Sequence, residues 1–244
     1  LNTNTGFQIV NFPDITQRSI DVHFQPGSAG TVFEGIHCRQ FTTEDSNLTI
    51  KRCLMYRNDG SCFGMQSNGN VNNLLVQGCY FKTIPDSTIN GSGCSTNFAI
   101  NWGWTESLKN FRFLNNIVEG RFFIPNVQLN SSSIPNPATG LIANNVFISK
   151  KGMQNYATPI LDIQGVAFFL VKNNVIYYDS VRNIQTWGAS WFEQQVKIPG
   201  NCIVQNNVSN IPSPYNIWGP TNQWGVSNLF VAGFNNGYYT SESS

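Results

Sequence analysis

Apolar residues recur along this chain in short runs, and the polar residues between the runs repeat a phrase. Phe113-Leu-Asn-Asn116-Ile-Val, Ile142-Ala-Asn-Asn145-Val-Phe, Val171-Lys-Asn-Asn174-Val-Ile and Val204-Gln-Asn-Asn207-Val-Ser share the form apolar-x-Asn-Asn-apolar-x. The second asparagine of each sets a column with intervals of 29, 29 and 33 residues. Self-similarity at such a period is the signature of a stacked repeat architecture. Upstream the frame continues with cysteine in the asparagine slot, in Ile50-Lys-Arg-Cys53-Leu-Met and Val76-Gln-Gly-Cys79-Tyr-Phe, and in weaker form in Phe33-Glu-Gly-Ile36. Those steps are 17, 26 and 37 residues. The first is short for a complete coil. The longest absorbs an insertion, for which Ile84–Trp104, rich in Gly, Ser and Asn, is the candidate.

The runs themselves are strand-like. β-Branched and aromatic residues alternate with clusters of Gly, Asn, Ser and Pro at strand length. Thr49-Ile-Lys-Arg-Cys-Leu-Met and Ala167-Phe-Phe-Leu-Val-Lys are broken too soon to carry an i, i+3, i+4, i+7 stripe. Short strands joined by bends and stacked in register predict an all-β fold, a parallel β-helix solenoid of about 7–8 coils. In such a stack like residues lie above like. An asparagine at a bend tolerates the left-handed conformation, and its side-chain amide can bond to the equivalent amide one coil away. Asn116, Asn145, Asn174 and Asn207 therefore read as a structural ladder, with Cys53 and Cys79 as small fillers of the same inward slot.

The repeated strand-Asn-Asn-strand phrase resembles the right-handed parallel β-helix of the pectate-lyase-like superfamily, over about residues 30–210. The tail from Trp224 to Ser244 is similar to the last coil of bacterial β-helix proteins, without their Ser-Pro-Ala-Ile-Gly-like closing segment. The resemblance implies a fold more than an activity, since the superfamily holds lyases, glycoside hydrolases, phage tailspikes, adhesins and non-catalytic surface proteins. It suggests residues 1–30 as opening strands at the N-terminal edge and 31–244 as one β-helix domain, part of a longer chain.

Composition fits an extracellular solenoid. Only 11% of the 244 residues are charged, against roughly 25% in an average soluble domain. A net charge of +1 from 14 basic and 13 acidic residues, without a Lys/Arg run, offers no field for nucleic acid. The longest apolar run, Val166–Val171, is far below the ~20 residues a membrane helix requires, so no membrane insertion is expected. The chain begins at Leu1 without a basic-then-apolar leader, which reads as a mature protein or a fragment. An open end of a solenoid exposes strand edges, so a partner chain or further sequence is expected to cover it. The six cysteines match no CxxC metal spacing. Cys38, Cys53 and Cys79 read as buried thiols, while Cys62 and Cys94, in Gly/Ser-rich turns, could pair with each other.

In lyases of the superfamily a Lys or Arg abstracts a proton α to a uronate carboxylate, which calcium held by several acids neutralises. Here the acids are scattered, with Glu44-Asp45 the only adjacent pair. The Asn-x-Asp, Asp-Asp, Gly-His-Gly and Arg-x-Lys set of polygalacturonases is absent, as are the Arg-x-Pro-x-x-Arg of pectate lyases and the Lys-Ser step of chondroitinase B. Weak catalytic candidates are Asp162, Arg121 and Lys150; Glu119, Lys150 and Asp179 follow their column asparagines closely enough to share a face. His23 and His37 have no acidic or Cys companion at triad spacing. Calcium is expected only under the lyase alternative, and no other cofactor.

The aromatics make the better case for binding. Trp102, Trp104, Trp187, Trp191, Trp218 and Trp224 all lie beside glycine or in polar segments read as loops. A tryptophan there either covers the core edge or offers an apolar face with a free N–H to a sugar or a partner surface. The expectation is a non-catalytic secreted or cell-surface module with a structural, adhesive or glycan-binding role. Its partners would be a polysaccharide or other protein subunits of a surface assembly. The alternative is a lyase or hydrolase acting on an acidic polysaccharide.

Overall fold

The computed structural model describes residues 21–57, 63–83, 98–124, 138–150, 161–163, 167–179, 196–197, 202–209, 215–216, 229–232 and 237–239. Among them every regular element is a strand. The strands fall into three sheets of 8, 7 and 9 strands, here called A, B and C. Sheet A contains Asp21–Phe24, Gln40–Thr43, Phe63–Asn72, Phe98–Lys109, Arg121–Ile124, Leu161–Ile163, Val196–Lys197 and Tyr215–Asn216. Sheet B runs from Val32–Glu34 through Thr49–Lys51, Leu75–Gln77, Phe111–Leu114, Ala138–Ala143 and Ala167–Lys172 to Ile203–Gln205. Sheet C runs from His37–Cys38 to Leu229–Ala232, with Gly237–Tyr239 folded back antiparallel on its last strand. All other pairings are parallel, and each strand pairs with the one a full circuit away. The arrangement is compatible with a parallel β-helix.

Three inner rows fill the space between the sheets, because side chains alternate faces along each strand. Sheet B contributes Ile50, Val76, Phe113, Ile142 and Val171, and sheet C contributes Met55, Phe81, Val118, Phe147 and Ile176, all buried. Sheet A adds Phe41, Phe122 and Leu161. Phe113 sits at the centre, its ring 5.0 Å from Phe122, 5.6 Å from Phe81 and 6.4 Å from Phe147. Such clustered rings add stabilisation beyond their buried area.

The bend from sheet B to sheet C separates the roles of the two asparagines in the phrase. The first takes the left-handed conformation, with φ of 56° at Asn115, 59° at Asn144, 55° at Asn173 and 52° at Asn206. The second is buried and bonds vertically. Asn145 Oδ1 accepts from Asn116 N (2.9 Å) and Asn116 Nδ2 (3.1 Å), while Asn145 Nδ2 donates to Phe113 O (2.9 Å) and Asn174 Oδ1 (3.0 Å). Asn174 and Asn207 repeat the pattern at 2.8–2.9 Å. Upstream, Gly35, Arg52 and Gly78 occupy the left-handed slot and Ile36, Cys53 and Cys79 the inner one. The 17-residue step to Cys53 is thus a whole circuit: Leu54 N bonds Ile36 O at 3.0 Å, and His37 pairs with Leu54.

Cys53 and Cys79 do more than fill the slot. The Cys79 thiol points to Ile50 O (3.7 Å), as Asn116 Nδ2 points to Val76 O one circuit later, and Cys79 N donates to Asn116 Oδ1 at 2.8 Å. Cys38, Cys53, Cys79 and Cys202 are free and buried; Cys62 and Cys94 lie outside the described residues. The hydrogen bond with Cys53 and burial push the Cys79 thiol up, and burial lifts Cys202 from 9.0 to about 11. A raised folded pKa stabilises the fold below the unfolded thiol value and loses that contribution as pH rises. Melting temperature should therefore fall between about pH 9 and pH 11, and peptide-resolved alkylation at pH 8 should leave these thiols unmodified until the chain unfolds. Rapid labelling of Cys202 in the native state would contradict its burial.

A second ladder lies on the bend from sheet A to sheet B. Asn47, Asn73 and Asn110 all have positive φ, and their exposed side chains bond in series, Asn110 Nδ2 to Asn73 Oδ1 and Asn73 Nδ2 to Asn47 Oδ1, both at 2.8 Å. Thr139 continues it by accepting from Asn110 N at 2.9 Å. Nearby, the Asp45 carboxylate accepts from Gly27 N and Ala29 N, tying the 25–31 turn to the stack.

Candidate functional site

Alternation along sheet A defines an outer face opposite Phe41, Phe122 and Leu161. One register row on that face runs His23, Thr42, Gln66, Asn101, Phe123, Asp162, Lys197 and Asn216. Asp162 stands between Phe123 and Lys197 in this row, and Arg121 lies two residues before Phe123 on the same strand. Arg121 and Asp162 thus occupy diagonal positions on adjacent strands. Lys150 belongs to a different sheet: it ends the Val146–Lys150 strand of sheet C and pairs with Asp179. Glu119 does not join that pair, because it is in register with Ile148 and its carboxylate accepts from Tyr80 Oη at 2.5 Å.

Trp102 and Trp104 are in a strand, not a loop. The Phe98–Lys109 strand pairs with Phe63–Asn72 along most of its length, but with irregular register. From Asn101 to Trp104 it advances three residues while its partner advances two, from Gln66 to Asn68. The extra residue is a β-bulge, which reverses the alternation only as far as Thr105, because a second shift between Thr105 and Ser107 restores it and leaves Leu108 buried. Position 104 therefore falls opposite Asn68 on the outer parity, beside the Gln66–Asn101 row. Trp187, Trp191, Trp218 and Trp224 lie outside the described residues.

At the N-terminal end of the same face the charged groups are paired. His23 Nε2 is 3.0 Å from Glu44 Oε1, an acidic companion that their separation of 21 residues conceals. Arg39 bonds both oxygens of Asp21. Farther round the stack, Arg52 pairs with Glu34. Burial pushes the pKa of His37 below its ordinary value. Among the described residues no group of His, Cys, Asp and Glu is arranged to hold a metal ion, and no helix is long and apolar enough to cross a membrane.

Sequence reasoning did not find Lys197 or the amide positions Gln66, Asn68, Asn70 and Asn101. The missing signal was register: Asp162 follows Asn145 by 17 residues but Lys197 follows Asn174 by 23, so counting from the phrase does not align them. The second ladder was legible, since Asn47, Asn73 and Asn110 repeat at 26 and 37 residues, the same steps as Cys53, Cys79 and Asn116.

These observations define an all-β protein of parallel strands in stacked sheets, in which Gln66 and Asn101 share one register row of sheet A. No known protein family, curated protein or solved structure matches the chain.

Proposed function

We propose that the chain is a right-handed parallel β-helix of the pectate-lyase-like kind, and that it acts as a non-catalytic secreted or cell-surface module binding a glycan along sheet A. The observation that carries this reading is the row of amide positions in register with one another and beside Trp104. Asparagine and glutamine amides both donate and accept, as sugar hydroxyls do, and an indole stacks on the apolar face of a sugar ring. Stacked circuits repeat this chemistry about every 4.8 Å, which suits an extended polymer. Seven of the row's eight positions are uncharged or paired in register with an opposite charge, an arrangement for holding a chain more than for transferring protons.

The test is a polysaccharide panel, with and without calcium, followed for binding and for the absorbance of unsaturated products. Binding without turnover is the expected result. Trp104→Ala should weaken it about tenfold or more, the loss of one stacking contact, with the melting temperature unchanged. Uronate turnover would instead assign lyase chemistry and direct mutagenesis to Arg121, Asp162 and Lys197. A role as a subunit of a larger assembly is favoured by a separate observation: Ile117, Val175 and Val208 form an exposed apolar row on the outside of sheet C, with Tyr177 alongside. Such exposed patches mark contact surfaces.

A further inference from the structure

Taking the exposed row of Ile117, Val175 and Val208 as a contact surface, we infer that what covers it is a second copy of this chain, held by the outer face of sheet C in a weak dimer. The outward positions of sheet C form two columns. The first runs in register through Leu54, Tyr80, Ile117, Val146, Val175 and Val208. The second runs through Lys82, Glu119, Ile148 and Tyr177. Ile117, Val175, Tyr177 and Val208 are 42%, 43%, 44% and 39% exposed, while Val118, Phe147 and Ile176 on the inner side are buried. Aliphatic side chains therefore hold the first column from Ile117 to Val208 without interruption, on a face that would be polar if it met only water.

Charge selects sheet C over sheet B for this contact. Sheet B also exposes apolar residues, among them Val32, Phe168 and Ile203. Its outward positions include Arg112, in register with Leu75 and Leu141, and Lys172, in register with Ala143 and Gln205. An isologous contact lays one patch on its own copy, so joining two sheet B faces would bring these cations into a shared interface. On sheet C the charges are opposed in pairs instead: Lys82 is in register with Glu119, and Lys150 with Asp179. Burial lowers the pKa of His37, which heads the first column, and keeps it neutral near pH 7. Such a face meets its own copy without net repulsion, and the net charge of +1 on the whole chain adds little at long range.

The pitch of the column leads to the same partner. Successive circuits place the exposed side chains about every 4.8 Å, and a surface that meets them one for one has to repeat at that interval, as another stack of parallel strands does. From His37 to Val208 the column crosses six strand spacings, about 29 Å. The five-residue Val146–Lys150 strand sets a width of about 16 Å. The face thus offers roughly 450 Å² per copy, less than the roughly 800 Å² per partner of a stable complex and in the range of transient ones. Sheet A takes no part in the contact, so a pair carries two of the proposed glycan-binding faces and holds a polymer with avidity.

The experiment is sedimentation equilibrium of the whole chain from about 5 µM to about 500 µM, at about 0.05 M and about 0.5 M salt, because screening weakens charge-driven contacts selectively. The average mass is expected to rise with concentration from that of a monomer toward that of a dimer, and equally at both salts. Val175→Lys, at an exposed position, should weaken association about tenfold or more by setting like charges against each other in the contact. Ile203→Lys, on sheet B, should leave it unchanged. A monomer throughout the range would overturn the second copy as the partner while leaving the row open to a different chain. A dimer that Val175→Lys does not weaken would overturn both, since the contact would then lie elsewhere, and dissociation at the higher salt would overturn the apolar contact. The concentration series is read on the unmodified chain, so it does not depend on any variant folding.

Discussion

Gly140→Ala is expected to destabilise the protein by about 3 kcal/mol or more, read as a lowered urea midpoint, because it forces atoms into backbone that has nowhere to move. Gly140 lies in the Ala138–Ala143 strand of sheet B, paired with Phe111 on one side and Phe169 on the other. A Cβ built there would stand 2.0 Å from Phe111 O, 2.9 Å from Phe111 C and 3.0 Å from Phe111 N. These are main-chain atoms of the adjacent strand, so no rotamer change relieves the contact, and the two strands would have to part. Their separation would also disturb the packing of the fully buried Phe111 and Phe169. Gly27→Ala is the control: it has positive φ but nothing within 4 Å of the added carbon, and should cost only about 1 kcal/mol of local strain. A Gly140→Ala loss no larger than that of Gly27→Ala would mean that neighbouring circuits of sheet B separate easily.

Asn145→Ala is expected to cost about 2–4 kcal/mol by chemical denaturation, since it strands several buried polar groups at once. Asn116 N–H and Asn116 Nδ2 both donate to Asn145 Oδ1, and Phe113 O accepts from Asn145 Nδ2. Water cannot replace these bonds, because Asn145 is 1% exposed. The neighbouring Asn144 supplies a sharp comparison. It is exposed with φ of 59°, a conformation glycine adopts without penalty. Asn144→Gly should therefore be within about 0.5 kcal/mol of the parent, and Asn144→Ala should lose about 1 kcal/mol, the strain of a left-handed alanine. Equal losses at positions 144 and 145 would refute the separation of roles between the two asparagines.

The strands, their parallel stacking and the bends were legible because each is written in local chemistry. Alternating apolar residues specify a strand face, and Asn-Asn or Gly-Cys at a fixed offset marks the turn between sheets B and C. The phrase placed the ladder on the second asparagine, as found, but gave that residue the left-handed bend as well, which the first asparagine takes. Both residues suit either task in isolation, and the inward one is selected by the direction of the side chain after the turn. His23 and Glu44 illustrate another limit: they meet because Thr42 is the register partner of His23 and the chain then turns at Glu44. No spacing rule for a single strand or helix brings residues 23 and 44 together.

The face of sheet A marks where local chemistry ends. Residue types and alternation suffice to say that the stack is all-β, whereas Asn101, in a segment read as an insertion, belongs to the Phe98–Lys109 strand. The alignment of Asn101, Asp162 and Lys197 into one row depends on the lengths of the segments joining sheet C to sheet A, which differ from circuit to circuit, and on hydrogen bonds made across the stack. Trp104 depends on a bulge, a mismatch between two strands that neither strand encodes by itself. Periodicity records what each segment prefers, whereas the register between segments is chosen only when they pack, because a shift of one residue would move every core side chain to the opposite face.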